Sequence, residues 1–218
     1  MDNYAEAYRD TRQRVVALVC DLDDDRLAMM APATPEWRVR DVLSHLVGVA
    51  TDIVTGTLDG APSDAWTARQ VEERRARSLD ELLAEWDRYG PMVVAMAQEA
   101  PDPGWSTLLS DAATHEHDIR GALDAPGARH SDALGIAFES WVTHGIALPL
   151  RLETDAGTFP TGDGAPVATV RAERFELFRA SLGRRSLDQI VEYSWDGDAH
   201  PEALVAPGFT ARSTPLVE

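Results

Sequence analysis

The chain contains no lysine: all 20 of its basic residues are arginines. That excludes Schiff-base catalysis, a pyridoxal-phosphate lysine and a Walker-type phosphate loop, each of which needs an ammonium on a flexible stem. There is one cysteine, Cys20, so no internal disulfide forms and a reducing cytoplasm fits. Cys20 follows Val15, Val16, Leu18 and Val19 in an apolar helical run and is expected as a small core residue. Its neighbours Asp21, Asp23, Asp24 and Asp25 are the opposite of the cationic surroundings that activate a thiol. No apolar run approaches the ~18 residues of a membrane-spanning helix. Met1-Asp2-Asn3-Tyr4 lacks the basic and apolar regions of a signal peptide. Positive charge is scarce as well, with 37 acidic against 20 basic residues and a net charge of −17. Such a surface repels phosphate backbones and anionic lipids, so neither nucleic acid nor membrane is expected as a partner.

What is present suffices for a folded core: 44% of the 218 residues are hydrophobic. Apolar periodicity predicts helices over 3–28, 38–58, 79–100, 106–124 and 131–149, and the polar, charged stretch 66–77 is expected as a short helix. Met29 to Pro35 reads as a loop, and Thr34-Pro35-Glu36-Trp37 as a helix start with proline in the first turn. Ser78 is the expected cap of the fourth helix, with Leu82, Leu83, Trp86 and Met92 inward. Pro91 is expected to kink or split that helix. After Arg151 the texture changes. Pro166 to Arg171 alternates like a strand, and two short helical stretches follow, over 174–182 and from Ser186 to Tyr193. The chain is therefore expected to be mainly α, with a helical domain over 1–150 and a small α+β domain over 151–218.

The informative helix is 106–124. At about 100° per residue, His115 and Asp118 fall within roughly 40° of Asp111, on or beside the apolar face. His117 falls on the opposite arc, outside any site built on that face. Glu116 and Arg120 are spaced to pair at i,i+4. A carboxylate turned into a bundle is costly unless it is paired or holds a metal, and an Asp–His pair one turn apart offers two ligand atoms on one side. It equally describes a simple hydrogen-bonded pair. On helix 38–58, Val42, Leu46, Val49 and Ile53 form the apolar arc. His45 sits at its edge, with Asp41 and Asp52 just beyond, placed to serve either as a third ligand or as a satisfied core histidine.

The run Trp37-Arg-Val-Arg-Asp-Val-Leu-Ser-His45-Leu, followed by Asp111-Ala-Ala-Thr-His115-Glu-His-Asp118-Ile, resembles the DinB/YfiT-like superfamily. Within it, the chain resembles the mycothiol-dependent maleylpyruvate isomerase family, and Phe175-Glu-Leu-Phe-Arg-Ala-Ser-Leu-Gly-Arg-Arg-Ser-Leu-Asp-Gln is similar to that family's C-terminal region. The resemblance implies a DinB-like four-helix bundle followed by a small α+β domain. It implies a divalent metal, zinc foremost with nickel or iron as alternatives, on His45, Asp111 and His115. It implies mycothiol as cosubstrate, delivered as a metal-activated thiol to a small electrophile by an isomerase or thiol transferase, with Arg184 as the catalytic arginine. Arg184 adjoins Arg185, and the two also read as a surface pair. The chain departs from the family in carrying Asp111 where the isomerase has glutamate, one methylene longer. A metal-binding sensor or interaction module without turnover is the alternative reading of the same residues.

Overall fold

The computed structural model describes residues 3–218, so Met1 and Asp2, read above for a leader, lie outside the described residues. The chain divides into two compact units, one ending at Gly127 and one beginning at Ala128.

The first unit contains α1 (Tyr4–Val19), α2 (Asp24–Leu27), a hairpin of β1 (Met30–Ala31) and β2 (Thr34–Arg38), then α3 (Val39–Thr55), α4 (Asp64–Arg74), α5 (Leu79–Glu99) and α6 (Trp105–Leu123). α1 packs on α5 and α6, and α3 packs on the same two, so four helices close in the ring order α1–α5–α3–α6. This is a DinB-like four-helix bundle. α4 lies against α3, outside the ring.

Local signals explain where the helices begin. The Asn3 side chain accepts from the Glu6 amide at 3.0 Å. At α5 the Ser78 hydroxyl accepts from the Glu81 amide at 3.2 Å, and the Glu81 carboxylate accepts from the Ser78 amide at 2.7 Å. This reciprocal pair satisfies two backbone donors that the helix leaves open. Behind the caps, Val15, Val42, Leu43, Val47, Leu82, Trp86, Val93 and Leu109 are buried. Each such side chain contributes roughly 1.5–3 kcal/mol, whereas a surface ion pair contributes about 0–1 kcal/mol, so the apolar seams hold the bundle.

Several expectations are corrected here. Thr34 to Trp37 is not a helix start but most of β2, which pairs antiparallel with β1 and turns Trp37 toward the bundle. Cys20 is exposed rather than buried, because α1 ends at Val19 and the cysteine falls beyond its last turn. Pro91 does not split α5, which runs unbroken from Leu79 to Glu99 with the proline on its exposed side. Met92 is exposed, not inward.

The second unit contains α7 (Asp132–His144), β3 (Leu150–Thr154), β4 (Gly157–Pro160), β5 (Ala168–Arg171), α8 (Arg174–Ser181), α9 (Leu187–Val191), β6 (Ser194–Asp196) and a 3-10 turn (Pro201–Leu204). The sheet order is β4-β3-β5-β6, with β3 parallel to β5 and the outer pairs antiparallel. α7 packs on α8, so the compact unit begins some twenty residues before the boundary expected near 150. Among the described residues no helix is long and apolar enough to cross a membrane.

Candidate metal centre

α3 and α6 are neighbours in the ring, and each turns polar side chains into the interior. One nitrogen each from His45 and His115 and one Asp111 oxygen lie within 4.8 Å of one another. His45 Nε2 is 3.1 Å and His115 Nε2 is 3.6 Å from Asp111 Oδ1. The shorter aspartate therefore still reaches between the two rings. His45 and His115 are buried, with 3% and 8% of their surfaces exposed, and the Asp111 side chain is about a third exposed. The cluster thus sits at the end of an opening rather than in a sealed core.

The opposite nitrogen of each ring is pinned. His115 Nδ1 is 2.9 Å from Asp118 Oδ2, which as a carboxylate accepts from the ring. His45 Nδ1 is 2.7 Å from Gln70 Oε1, and Gln70 Nε2 donates to Asp52 Oδ2 at 2.8 Å. Because Asp52 only accepts, the Gln70 amide must present its oxygen to His45. Both Nδ1 atoms therefore carry hydrogen, and both Nε2 atoms are turned to the shared point. Second partners of this kind fix the ring orientation of metal-ligating histidines.

Gly48 makes the Gln70 contact possible. A Cβ at Gly48 would stand 2.6 Å from Gln70 Cβ, so only glycine lets α4 approach α3 this closely. α4 is then clamped by Arg74, which donates to Glu85 at 2.6 Å, and by Arg69, which donates to Asp52 at 2.9 Å. Trp37 covers the cluster from β2. Its ring stacks on His115 at 5.6 Å and 20°, and meets His45 edge-on at 5.4 Å.

Burial alone would lower the pKa of His45, but the Asp111 charge and hydrogen bond, followed by the contact with Gln70, raise it above the ordinary histidine value. The protein thus stabilises a positive charge between His45 and Asp111. Nearby, burial pushes the Tyr8 phenol up to about 12 despite the hydrogen bond from Trp86, and the Asp111 charge adds to the rise. Tyr8 therefore stays neutral at physiological pH.

Two imidazoles and one carboxylate suit a divalent cation and leave coordination positions open. The described geometry fits such an ion: three ligand atoms converge within 4.8 Å, and each histidine turns its Nε2 to the shared point while its Nδ1 is held from behind.

Asp118 orients His115 as the helical phase suggests. The expected Glu116–Arg120 pair is present at 2.9 Å, joined by Arg14 at 2.8 Å. His117 is not on a solvent face: it is buried, as are Glu116 and Asp118, because α6 is enclosed nearly all round. Arg184 lies in the second unit beyond α8, half-buried, with Nη1 donating to the Leu182 carbonyl at 2.7 Å. Its neighbour Arg185 is no surface residue; it is buried against Glu176 and Glu218 at 2.6 and 3.0 Å. Sequence reasoning missed Gln70, although Trp66, Gln70 and Arg74 recur every four residues and form the buried stripe of α4. It also gave no role to Trp37, eight residues before His45.

Bundle and cluster together define a DinB-like helical protein with an inward carboxylate–histidine set. The chain belongs to the mycothiol maleylpyruvate isomerase N-terminal domain family, whose sequence model matches residues 8–133. Among solved structures it is similar to the crystal structure of the mycothiol-dependent maleylpyruvate isomerase, at 12% identity over 83% of this chain and 88% of that chain, with a TM-score of 0.56. A mutant of that isomerase with one histidine replaced by alanine matches with the same identity and coverage and a TM-score of 0.53. At this identity the likeness is one of fold. No curated protein matches the chain.

Proposed function

We propose that the chain is a cytoplasmic, divalent-metal-dependent protein. It delivers a low-molecular-weight thiol, mycothiol, to a small electrophile as an isomerase or thiol transferase. The observation that carries this reading is the convergence of His45 Nε2, Asp111 and His115 Nε2 with both Nδ1 atoms held by acceptors. Zinc suits two histidines and a carboxylate at a half-open site, and nickel or iron fit the same donors.

When bound, such an ion supplies Lewis acidity that favours a thiolate over a thiol near neutral pH. The residues of the chain do the rest. Gln70 and Asp118 hold each Nδ1 from behind, so each ring presents Nε2 to the ion, His45 after giving up the proton it shares with Asp111. Trp37 covers the rings and keeps bulk water from that side. Asp111, the most exposed of the three, marks the side from which small molecules arrive. Arg184 is kept as the proposed catalytic arginine on the family resemblance, as a group able to hold a carboxylate bidentately.

The test is metal analysis of the native protein beside Asp111→Ala, followed by thiol-transfer assays with mycothiol, bacillithiol and glutathione. One metal per chain in the wild type, none in the variant, and transfer with mycothiol are expected. Metal binding without turnover on any electrophile would leave the non-catalytic module. Equal metal in both proteins would remove the site. Arg184→Ala is expected to lower turnover while leaving metal content unchanged.

A further inference from the structure

α4 reaches the candidate metal centre from outside the ring, and its docking is mostly polar. The buried residues of the helix are Trp66, Gln70 and Arg74, and only the first is apolar. Gln70 bonds His45 and Asp52, Arg69 bonds Asp52, and Arg74 bonds Glu85. The neighbouring stripe of α4, Ala68, Val71, Glu72 and Arg75, lines a cavity of about 600 Å³ together with Trp37 and Arg38 of β2. Residues 55–65, which lead into the helix, are all exposed. Polar contacts return little net stability once the lost contacts with water are counted, far less than an apolar seam does. α4 is therefore among the less firmly held parts of the unit, and it opens more readily than the ring.

We infer that the docking of α4 and the binding of a divalent metal are one coupled equilibrium, with Gly48 as the positioning residue that permits it. The inference rests on the metal-dependent reading above. The tie is the 2.7 Å bond between His45 Nδ1 and Gln70 Oε1. The His45 ring stands between two acceptors, because Asp111 Oδ1 lies 3.1 Å from its Nε2. With Nε2 given to an ion, the ring keeps its remaining hydrogen on Nδ1, where Gln70 receives it. A hydrogen bond on that side in turn makes Nε2 the better ligand. Metal on His45 therefore tightens α4, docked α4 tightens metal, and linkage makes the two factors equal. Gly48 sets how close the two helices come. A Cβ there would stand 2.6 Å from Gln70 Cβ and 3.1 Å from Arg74 Nη1, both on α4. Gly48→Ala thus pushes α4 away while His45, Asp111 and His115 keep their own helices.

The experiment is hydrogen exchange of the full chain, read by mass spectrometry on peptides covering Asp64–Arg74, with zinc and with chelator. Zinc is expected to slow exchange in α4 at least about tenfold, the size of effect that such outer contacts have on metal affinity. Gly48→Ala is expected to weaken zinc at least about tenfold in competition with a chelator, by a factor no larger than that slowing. Gln70→Leu, which keeps the bulk but removes the acceptor, is expected to leave α4 docked and to abolish its zinc-dependent slowing. A merely structural role for α4 predicts exchange that zinc does not change. Zinc binding with unchanged exchange in α4 would overturn the coupling alone. Wild-type zinc affinity in a folded Gly48→Ala protein, or undiminished slowing in Gln70→Leu, would overturn it as well. Failure of the metal reading appears separately, as the absence of zinc binding by the wild type, and it takes the coupling with it.

Discussion

Each compact unit buries a cluster of charged or polar groups, and the two clusters end differently. In the second unit Arg179 and Arg185 are buried, and their guanidiniums are taken up by Glu218 and Glu176. In the first unit Asp52, Gln70 and Asp118 hold one side of two histidines, and the other side of both rings faces Asp111. Burial of charge is common to both, so burial alone does not mark a functional site. The distinguishing feature is direction: in one cluster the donors meet acceptors and the set closes on itself, and in the other the ligand atoms converge on a shared point.

The largest expected effect breaks the closed cluster. Arg185→Ala leaves Glu176 without its cation and Glu218 with one fewer. It should destabilise the protein by about 3–5 kcal/mol in urea unfolding, with zinc affinity within twofold of wild type. The open cluster is expected to respond the other way. Zinc at a hundred times its dissociation constant should stabilise wild type by about 2.7 kcal/mol, and His115→Ala should abolish that gain in a thermal scan. A smaller step sharpens the role of the pinning groups. Gln70→Ala and Asp118→Asn should each weaken zinc about 10- to 100-fold in competition with a chelator, while one site per chain remains.

The smallest effect is a matter of pH. The folded-state pKa of His45 is raised, against the pull of burial, by Asp111 and then Gln70. In metal-free protein its contribution to stability is fully present below the unfolded histidine value, about 6.5, and is lost as pH rises through the folded value. Zinc must displace the Nε2 proton, so its stabilisation should grow over the same interval. Melting temperature plotted against pH with chelator and with zinc should therefore slope in opposite senses between about pH 6 and 8. Parallel slopes would show that His45 is not a ligand.

Much of this was legible in the chain. The helices were marked by starting residues such as Ser78 and Ser186 and by apolar periodicity. On α6 the spacing of Asp111, His115 and Asp118 was enough to place them on one side. The errors have physical causes. Thr34 to Trp37 was read from proline preference, but pairing with β1 overrides a local preference in so short a segment. Cys20 was read by extending an apolar run past the point where α1 stops. Phase placed His117 outside the site but left its burial open, because it gives direction around a helix and not what stands there.

By itself, then, the sequence determined the helical class, the shared face of Asp111, His115 and Asp118, and, through the resemblance of its two motifs, the pairing of that face with His45. Tertiary structure alone decided how close α4 comes at Gly48, and hence that Gln70 rather than water holds His45. It alone decided that Trp37 lies over both rings. These are contacts between helices far apart in the chain. Periodicity fixes the angle of a side chain about its own axis, whereas the distance between two axes depends on every side chain packed between them.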